Sequence, residues 1–534
     1  MRALIPLSLL SLMAVPGMAE TPWSPLHLPK AQKKVAGTSQ PNLLSPGLAE
    51  VIVAQGATPL ENPTALLDRY GFVANGPMLP APGDLQAPGH NVEASKTEPD
   101  KNTYLILQHQ TGADPAYDYG THFLFQGHET GKGSITRINL DADGDHRVTL
   151  LADSDVNGQP LPTYDGSTWN PFAHRLLFTC EAGTSGGVWQ ATLDLPSKVQ
   201  DLGGILGRGG YEGIQVDAQG HIWIVEDAGG KAGTLYPHAK QANSFIYRFI
   251  PKDITNLLAG GRLQALQVLS LAHAGPIVFN AADLDGQIRS QDLKDLHTYG
   301  KTFQIRWVTL HDTSVDGTVP YDASALAKAK SATPFKRPEN GVFRPGSNFR
   351  EFFFTETGDT NLLTEAGAEF GGFGALMQMT LPEAGADHGT LRLFYRCDPT
   401  HSGLDNIAFW GEHHVVAVED AGDTLHSQRN ALDSAYLFDT RADYSQAGSE
   451  PIRILAQGRD DAATLDSGLL SVSGSGFQNE GDNEITGFHV SDGDPSTHGL
   501  LGAKVPTAFE DGWRVFYTQQ HGDNRTWEII RLKR

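Results

Sequence analysis

From Asn102 onward the chain is a succession of short apolar runs separated by polar and glycine-rich turns. Runs of this length with turns at close spacing predict β-strands and hairpins rather than long helices. One unit recurs: an apolar strand ends in an acidic or metal-binding dipeptide, a glycine turn follows, and a second strand begins. Copies are FLFQGHETGKGSITRINLD, LLFTCEAGTSGGVWQATLD, IWIVEDAGG with NSFIYRFIP, FFFTETGDT with FGALMQMTLP, VVAVEDAGD with SAYLFDT, and VFYTQQHGDNRTWEIIRL. An earlier strand with an acidic start precedes several of them, as in YEGIQVD, PENGVF, LDNIAF and NEITGF. Glu212 precedes Glu226, and Asp405 precedes Glu419, by 14 residues, a gap that fits a hairpin of two short strands. Repeated units of about four strands predict an all-β, six-bladed β-propeller with helical insertions.

The pattern also divides the chain. Residues 1–19 read as a signal peptide: Arg2 supplies the positive start, Ala3 to Val15 the apolar stretch, and Gly17 and Ala19 the small residues before a cut at Glu20. Residues 20–101 are rich in Pro, Gly and polar residues and read as an irregular N-terminal extension lying over the main domain, with order at Leu48–Gln55 and Leu66–Val73. The propeller is expected over 102–534, with an insertion at about 231–336 that carries helices at Lys252–Leu258, Ser290–His297 and Ser324–Ala332. Within it, AADLDGQIRSQD places Asp283, Asp285, Gly286 and Asp292 as in a calcium loop, but Ala281 stands at the first position and an Asp at the twelfth. A helix-capping turn is the expected structure there, and a polar hairpin loop is expected for DADGDHR (Asp141, Asp143, Asp145).

Composition sharpens the reading. Glycine, at 59 residues or about 11% against a usual ~7%, agrees with many tight turns. The net charge of −22 disfavours nucleic acid as a partner and also repels any anionic substrate unless bound cations invert the field. No later run is long enough to cross a bilayer, so after signal cleavage the protein is expected to be periplasmic or secreted and free of the membrane. A closed propeller leaves few free sheet edges, which predicts a monomer.

In a propeller the inner strands converge on one axis, so acidic residues at their ends gather there. Many carboxylates cannot sit together unpaired, because each charge makes the next harder to ionise. Hard cations with oxygen ligands, such as calcium, are the natural remedy, and carboxylates capping turns at a wet channel mouth are the plainer alternative. Aligning the glycine turns sets Cys180 over Glu226 and Glu419, with His128 at the same place and Glu181 over Asp227 and Asp420. A thiolate among carboxylates suits iron; a disulfide between Cys180 and Cys397 or an inert buried thiol is the other reading. Arg337 lies two residues before Glu339, on one face of a strand, where a guanidinium could grip phosphate or simply pair with the carboxylate.

These motifs resemble the PhoX family of bacterial alkaline phosphatases. The resemblance runs from about Leu105 to the C-terminus through GHE at Glu129, FTCEAG, YEGIQVD, RPENG, LDNIAF, and EITG with TQQHGDN. It implies a propeller holding ferric and calcium ions, with Cys180, Glu212 and Glu339 as iron-side ligands. Glu129, Glu181, Asp405 and Glu484 would serve calcium or bridge, and Arg337 would hold the substrate phosphate. The implied activity is hydrolysis of small phosphate monoesters by a metal-bound oxide or hydroxide. The chain departs from the family in lacking a twin-arginine leader, having only Arg2, and in residues flanking Glu129 and Glu212. Two further readings stay open: a calcium-dependent propeller lactonase or esterase, and a calcium-binding propeller scaffold without catalysis.

Overall fold

A computed structural model describes residues 42–71, 73, 97–421, 425, 428–429, 433–457, 484–520 and 524–532. The expected signal peptide lies outside these residues. No helix among them is long and apolar enough to cross a membrane.

The chain is all-β with few, short helices. In order it forms β1 (Asn42–Leu44), β2 (Leu48–Ala54), β3 (Thr103–Ile106), β4 (His122–Gly127), β5 (Ile135–Asn139), β6 (Val148–Ala152), β7 (Ser167–Asn170), β8 (Arg175–Cys180), β9 (Gly187–Ala191) and β10 (Val199–Asp201). There follow β11 (Tyr211–Val216), β12 (Ile222–Glu226), β13 (Ile246–Pro251), β14 (Gly261–Val268), β15 (Thr302–Asp312), β16 (Gly341–Phe343), β17 (Glu351–Glu356), β18 (Ala375–Thr380) and β19 (His388–Arg396). The last are β20 (Leu404–Phe409), β21 (His414–Glu419), β22 (Asp433–Asp439), β23 (Ile452–Gln457), β24 (Glu484–Ser491), β25 (Arg514–Gln520) and β26 (Arg525–Arg531).

All pairings between these strands are antiparallel, and the sheets are arranged as in a propeller. Four are separate and blade-sized: β3 to β6, β7 to β10, β20 to β23 with β1, and β24 to β26 with β2. The expectation of six separate blades is corrected by the fifth sheet, which has nine strands in the order β11-β12-β13-β14-β15-β19-β18-β17-β16. The cause is β15, an 11-residue strand of the insertion, which pairs with β14 along one edge and β19 along the other. The first strands β3, β7, β11, β16, β20 and β24 touch one another in turn, and β24 returns to β3.

The second strands read as continuous apolar runs because both of their faces are buried. In β8, Leu176, Phe178 and Cys180 join Phe123 and Phe125 of β4 in one cluster, while Leu177 joins Ile222 and Ile224 of β12 in the next. Trp223 and Val225 face Phe352 and Phe354 of β17; Phe353 faces Val415 and Ala417 of β21. Val416 and Val418 face Val515 and Tyr517 of β25, and Phe516 meets Leu124 of β4. Period-2 alternation thus packs each second strand against both of its neighbours, round the whole ring.

Within the expected extension, Leu48–Ala54 is ordered as a strand, and Asn42–Leu44 adds a second strand that was not expected. β2 pairs with β26 and β1 with β23, so N-terminal chain covers the outer edge of two sheets, including the C-terminal one. Leu66–Val73 forms no strand and contributes isolated bridges, Leu67 with Val73 and Arg69 with Pro59. Two expected helices form, Gln291–Leu296 and Ala323–Ala329, capped by Ser290 and Asp322. Lys252–Leu258 does not form an α-helix: the Asp253 carboxylate accepts bonds from Thr255 N and Oγ1, and a single 3-10 turn, Leu257–Ala259, ends at Gly260. Asp283 caps the helix Leu284–Ile288 by accepting from Gly286 N at 2.9 Å, and Asp143 accepts from Asp145 N and His146 N in the β5–β6 turn. Both acidic loops are therefore turn-capping structures.

Candidate metal centre

An acidic residue stands at the start of every first strand. Glu212, Asp405 and Glu484 lie inside β11, β20 and β24; Asp100, Asp165 and Glu339 lie just before β3, β7 and β16. Because these strands touch in a ring, the carboxylates collect at one end of the axis. Register irregularities re-aim them: the β11–β12 pairing shifts between Tyr211 and Ile214, and the β20–β21 pairing between Leu404 and Ile407. Close approach needs glycine next to the acid. A Cβ on Gly166 would lie 2.0 Å from the Glu212 carbonyl oxygen, and one on Gly213 would lie 2.7 Å from that of Glu339.

Second strands supply the residues just past their ends, Glu129 after β4 and Glu181 after β8. Three carboxylate triads result, each with ligand atoms within 4.8 Å of one another: Asp100, Glu129 and Asp165; Asp165, Glu181 and Glu212; Glu212, Glu339 and Asp405. Asp165 and Glu212 are shared, so the triads form one continuous cluster. Amide side chains bind its edges. Asn340 Nδ2 donates to Glu212 Oε1 at 2.6 Å and to Asp405 Oδ1 at 3.2 Å. Gln520 Nε2 donates to Asp100 Oδ2 at 3.1 Å and Glu129 Oε2 at 2.8 Å.

Burial, and then mutual repulsion, push the Asp100, Asp165, Glu181, Glu212 and Glu484 carboxyls well above the ordinary carboxylate range. Glu339 is pushed up by burial as well, although Arg337 works in the opposite direction. Its Oε1 lies 3.0 Å from Arg337 Nη2 but makes no hydrogen bond, a buried acceptor left open. An all-carboxylate donor set with open lone pairs fits hard cations.

Arg337 borders the third triad. Its backbone has φ of 53°, an uncommon conformation for a residue with a side chain. Its Nε donates to both Asp227 oxygens at 3.0 Å and its Nη2 donates to Oδ2 at 2.7 Å. Burial works against its charge, but Asp227 and Glu339 outweigh it and keep the guanidinium cationic.

Of the residues singled out in the sequence, Glu129, Glu181, Glu212, Glu339 and Asp405 come together in the triads, with Arg337 alongside. Glu484 lies outside the triads but close enough to Asp420, Glu129 and Asp405 to feel their charge. Cys180 is not brought in: it is buried in the apolar cluster that holds Phe125, Phe178 and Trp189, and burial raises its thiol. β8 ends at Cys180, inside the apolar cluster, and Glu181 lies just past the strand end, in the second triad. Glu226, at the position aligned with Cys180, likewise turns inward, accepting from Phe245 N and the Tyr247 hydroxyl at 2.8 Å. Cys180 and Cys397 are both free thiols. Asp100, Asp165, Asp227 and Asn340 were not singled out as site residues. The signal for Asp100 and Asp165 was their place before β3 and β7, matching Glu339 before β16.

Residues 230–431 match the family described as alkaline phosphatase PhoX. No curated protein sequence matches the chain. Among solved structures, Pseudomonas fluorescens PhoX in complex with vanadate, a transition state analogue, is similar at a TM-score of 0.50 and 12% identity, over 94% of this chain and 98% of that one. The WD40 domain of Toxoplasma gondii coronin gives a TM-score of 0.32 at 10% identity, over 95% of this chain and 89% of that one. A putative 6-phosphogluconolactonase from Bacteroides fragilis gives 0.31 at 9%, over 81% and 98%. The chain is PhoX-like, by sequence over residues 230–431 and by fold over nearly its whole length.

Proposed function

We propose that the protein is an exported, metal-dependent hydrolase of small phosphate monoesters, working at the mouth of a six-bladed propeller. The blade count takes the nine-stranded sheet as two blades, β11 to β14 and β16 to β19, bridged by β15; the ring of six touching first strands supports it. The observation that carries the function is the continuous cluster of seven carboxylates beside an arginine held cationic by Asp227.

Glu129, Glu181, Glu212, Glu339 and Asp405, with Asp100 and Asp165, would hold the cations, and Glu484 would add charge at the edge. Calcium suits this oxygen-rich set. A ferric ion, implied by the PhoX resemblance, is assigned to Glu212 and Glu339, and Cys180 is left out because its thiol packs in the apolar cluster. Bound cations would supply positive charge to the ester's non-bridging oxygens and activate the attacking water. Arg337 donates to the phosphoryl oxygens as negative charge grows on them. Asp227 fixes the guanidinium through Nε and Nη2, and Nη1 makes no hydrogen bond among the described residues, so that edge is the one offered to substrate. Asn340 and Gln520 orient the carboxylates from the sides.

The test is elemental analysis of the purified protein joined to hydrolysis of a generic aryl phosphate by the same sample. Bound calcium or iron with activity lost on chelation and regained on metal return is the expected result. Turnover that survives exhaustive metal removal refutes the proposal.

A further inference from the structure

Two second strands, β17 and β21, end in fully buried acids that stay out of the carboxylate triads, Glu356 and Glu419. Each turns back to the segment that leads into a first strand. Glu356 Oε1 accepts from Lys336 N at 2.8 Å, three residues before Glu339, and Glu419 Oε1 accepts from Ser402 N at 3.1 Å, three residues before Asp405. What stands behind them differs. Glu419 leans on Arg429, in the chain past its own strand. Glu356 is held from the insertion: its Oε2 lies 2.8 Å from His297 Nε2, and His297 Nδ1 donates to Leu293 O at 2.8 Å in the helix Gln291–Leu296 that His297 ends. A carbonyl only accepts, so Nδ1 carries a hydrogen, and one further proton lies between Nε2 and Oε2. Gly371 gives the ring its room, since a Cβ there would lie 2.4 Å from Nε2.

The residue clamped this way is the one before Arg337. Lys336 Nζ donates to Asp359 Oδ1 at 3.0 Å and Oδ2 at 2.9 Å, Thr357 N donates to Arg337 O at 2.8 Å, and Gly358 N donates to Lys336 O at 3.2 Å. Lys336 and Arg337 are consecutive, yet one side chain reaches Asp359 and the other Asp227. Between them the backbone takes the Arg337 φ of 53°, and such a conformation persists only where the surroundings over-determine it. We propose that His297 and Glu356 are positioning residues: through them the insertion clamps the Lys336–Arg337 backbone and holds the guanidinium where the phosphoryl group binds. This rests on the reading of Arg337 as the residue that holds the ester's phosphate. Without the Glu356 acceptor, Lys336 N becomes a buried donor with no partner, and the Arg337 backbone is free to relax to negative φ and carry the side chain off Asp227.

The experiment measures inhibition of aryl phosphate hydrolysis by inorganic phosphate in metal-loaded, full-length protein, with bound metal counted in every sample. Glu356→Leu removes both bonds, whereas Glu356→Gln keeps an acceptor for Lys336 N and offers His297 Nε2 a donor. Glu356→Leu is expected to weaken phosphate inhibition and kcat/KM by about 10²-fold at unchanged metal content, and Glu356→Gln to restore both. On an Arg337→Ala background Glu356→Leu is expected to change neither any further, which a merely structural role would not produce. Wild-type phosphate inhibition in Glu356→Leu, a loss that tracks lost metal, a Glu356→Gln no better than Glu356→Leu, or a full further loss on the Arg337→Ala background overturns the proposal. Should Glu356→Leu not fold, His297→Phe, which keeps a ring and removes the nitrogens, is read in its place. Weakened phosphate inhibition there supports the proposal, and an unchanged constant or a second failure to fold overturns it. Turnover and phosphate inhibition left intact by Arg337→Ala would sink the reading of Arg337 itself, a result distinct from an insensitive Glu356→Leu.

Discussion

Stripping the cations from the carboxylate cluster should cost stability in a pH-dependent way. Two ionised carboxylates 4.8 Å apart repel by about 3.5 kcal/mol at an effective dielectric constant of about 20. One uncompensated pair in each triad therefore amounts to about 10 kcal/mol. Unfolding entropy of ~2.1 cal/mol/K per residue over 534 residues is about 1.1 kcal/mol/K, so the melting temperature should fall by about 10 °C. The metal-free fold can escape this repulsion only by keeping protons. Asp100, Asp165, Glu181, Glu212, Glu339 and Glu484 all have raised values in the folded state. Their contribution to stability is therefore complete below the unfolded carboxylate value of about 4 and is lost as pH rises through the folded values. Calcium replaces those protons, so its effect should grow in the same direction. The assay is thermal unfolding of chelated and calcium-loaded protein at about pH 5 and about pH 8, with proton release on calcium binding followed in weak buffer. A gap between the two forms that widens toward about pH 8 is expected. If the two forms melt together at both values, the carboxylates are not a metal centre and the reasoning fails.

Other perturbations test separate parts of the site. Asp227→Asn removes the charge that pins Arg337, and kcat/KM for an aryl phosphate should fall by about 10²-fold while bound metal stays constant; an unchanged rate would detach Arg337 from substrate. Cys180→Ser buries a hydroxyl in an apolar cluster, so denaturant unfolding should show a loss of about 1–3 kcal/mol with metal content unchanged, whereas loss of iron would return the sulfur to the ligand set. Deleting residues 1–54 exposes the β26 edge that β2 covers, and size-exclusion chromatography should show association in place of a single species.

Much of the site was legible because chemistry and position repeat. YEG, PENG, LDN and NEITG mark the start of a first strand with an acid, and GHE and CEAG mark the end of a second strand. The 14-residue gaps proved to be hairpins in which Tyr211 pairs with Glu226 and Leu404 with Glu419. Asp100 and Asp165 carry the same chemistry, but EPDKN and YDGS lie in turn-like sequence where Asp is common.

The sequence by itself determined that the chain is all-β and that acids recur at strand ends, because composition and period are local properties. Only the tertiary structure decided which acids meet. Glu212, Glu339 and Asp405 are distant in sequence and converge because β11, β16 and β20 lie side by side. Cys180 and Glu181 are adjacent in sequence and part company because β8 ends between them, leaving the thiol in the apolar cluster and the carboxylate at the axis end. Likewise, nothing local in residues 42–54 says that they pair with strands near the other end of the chain; an unpaired sheet edge there, created by the fold, selects them.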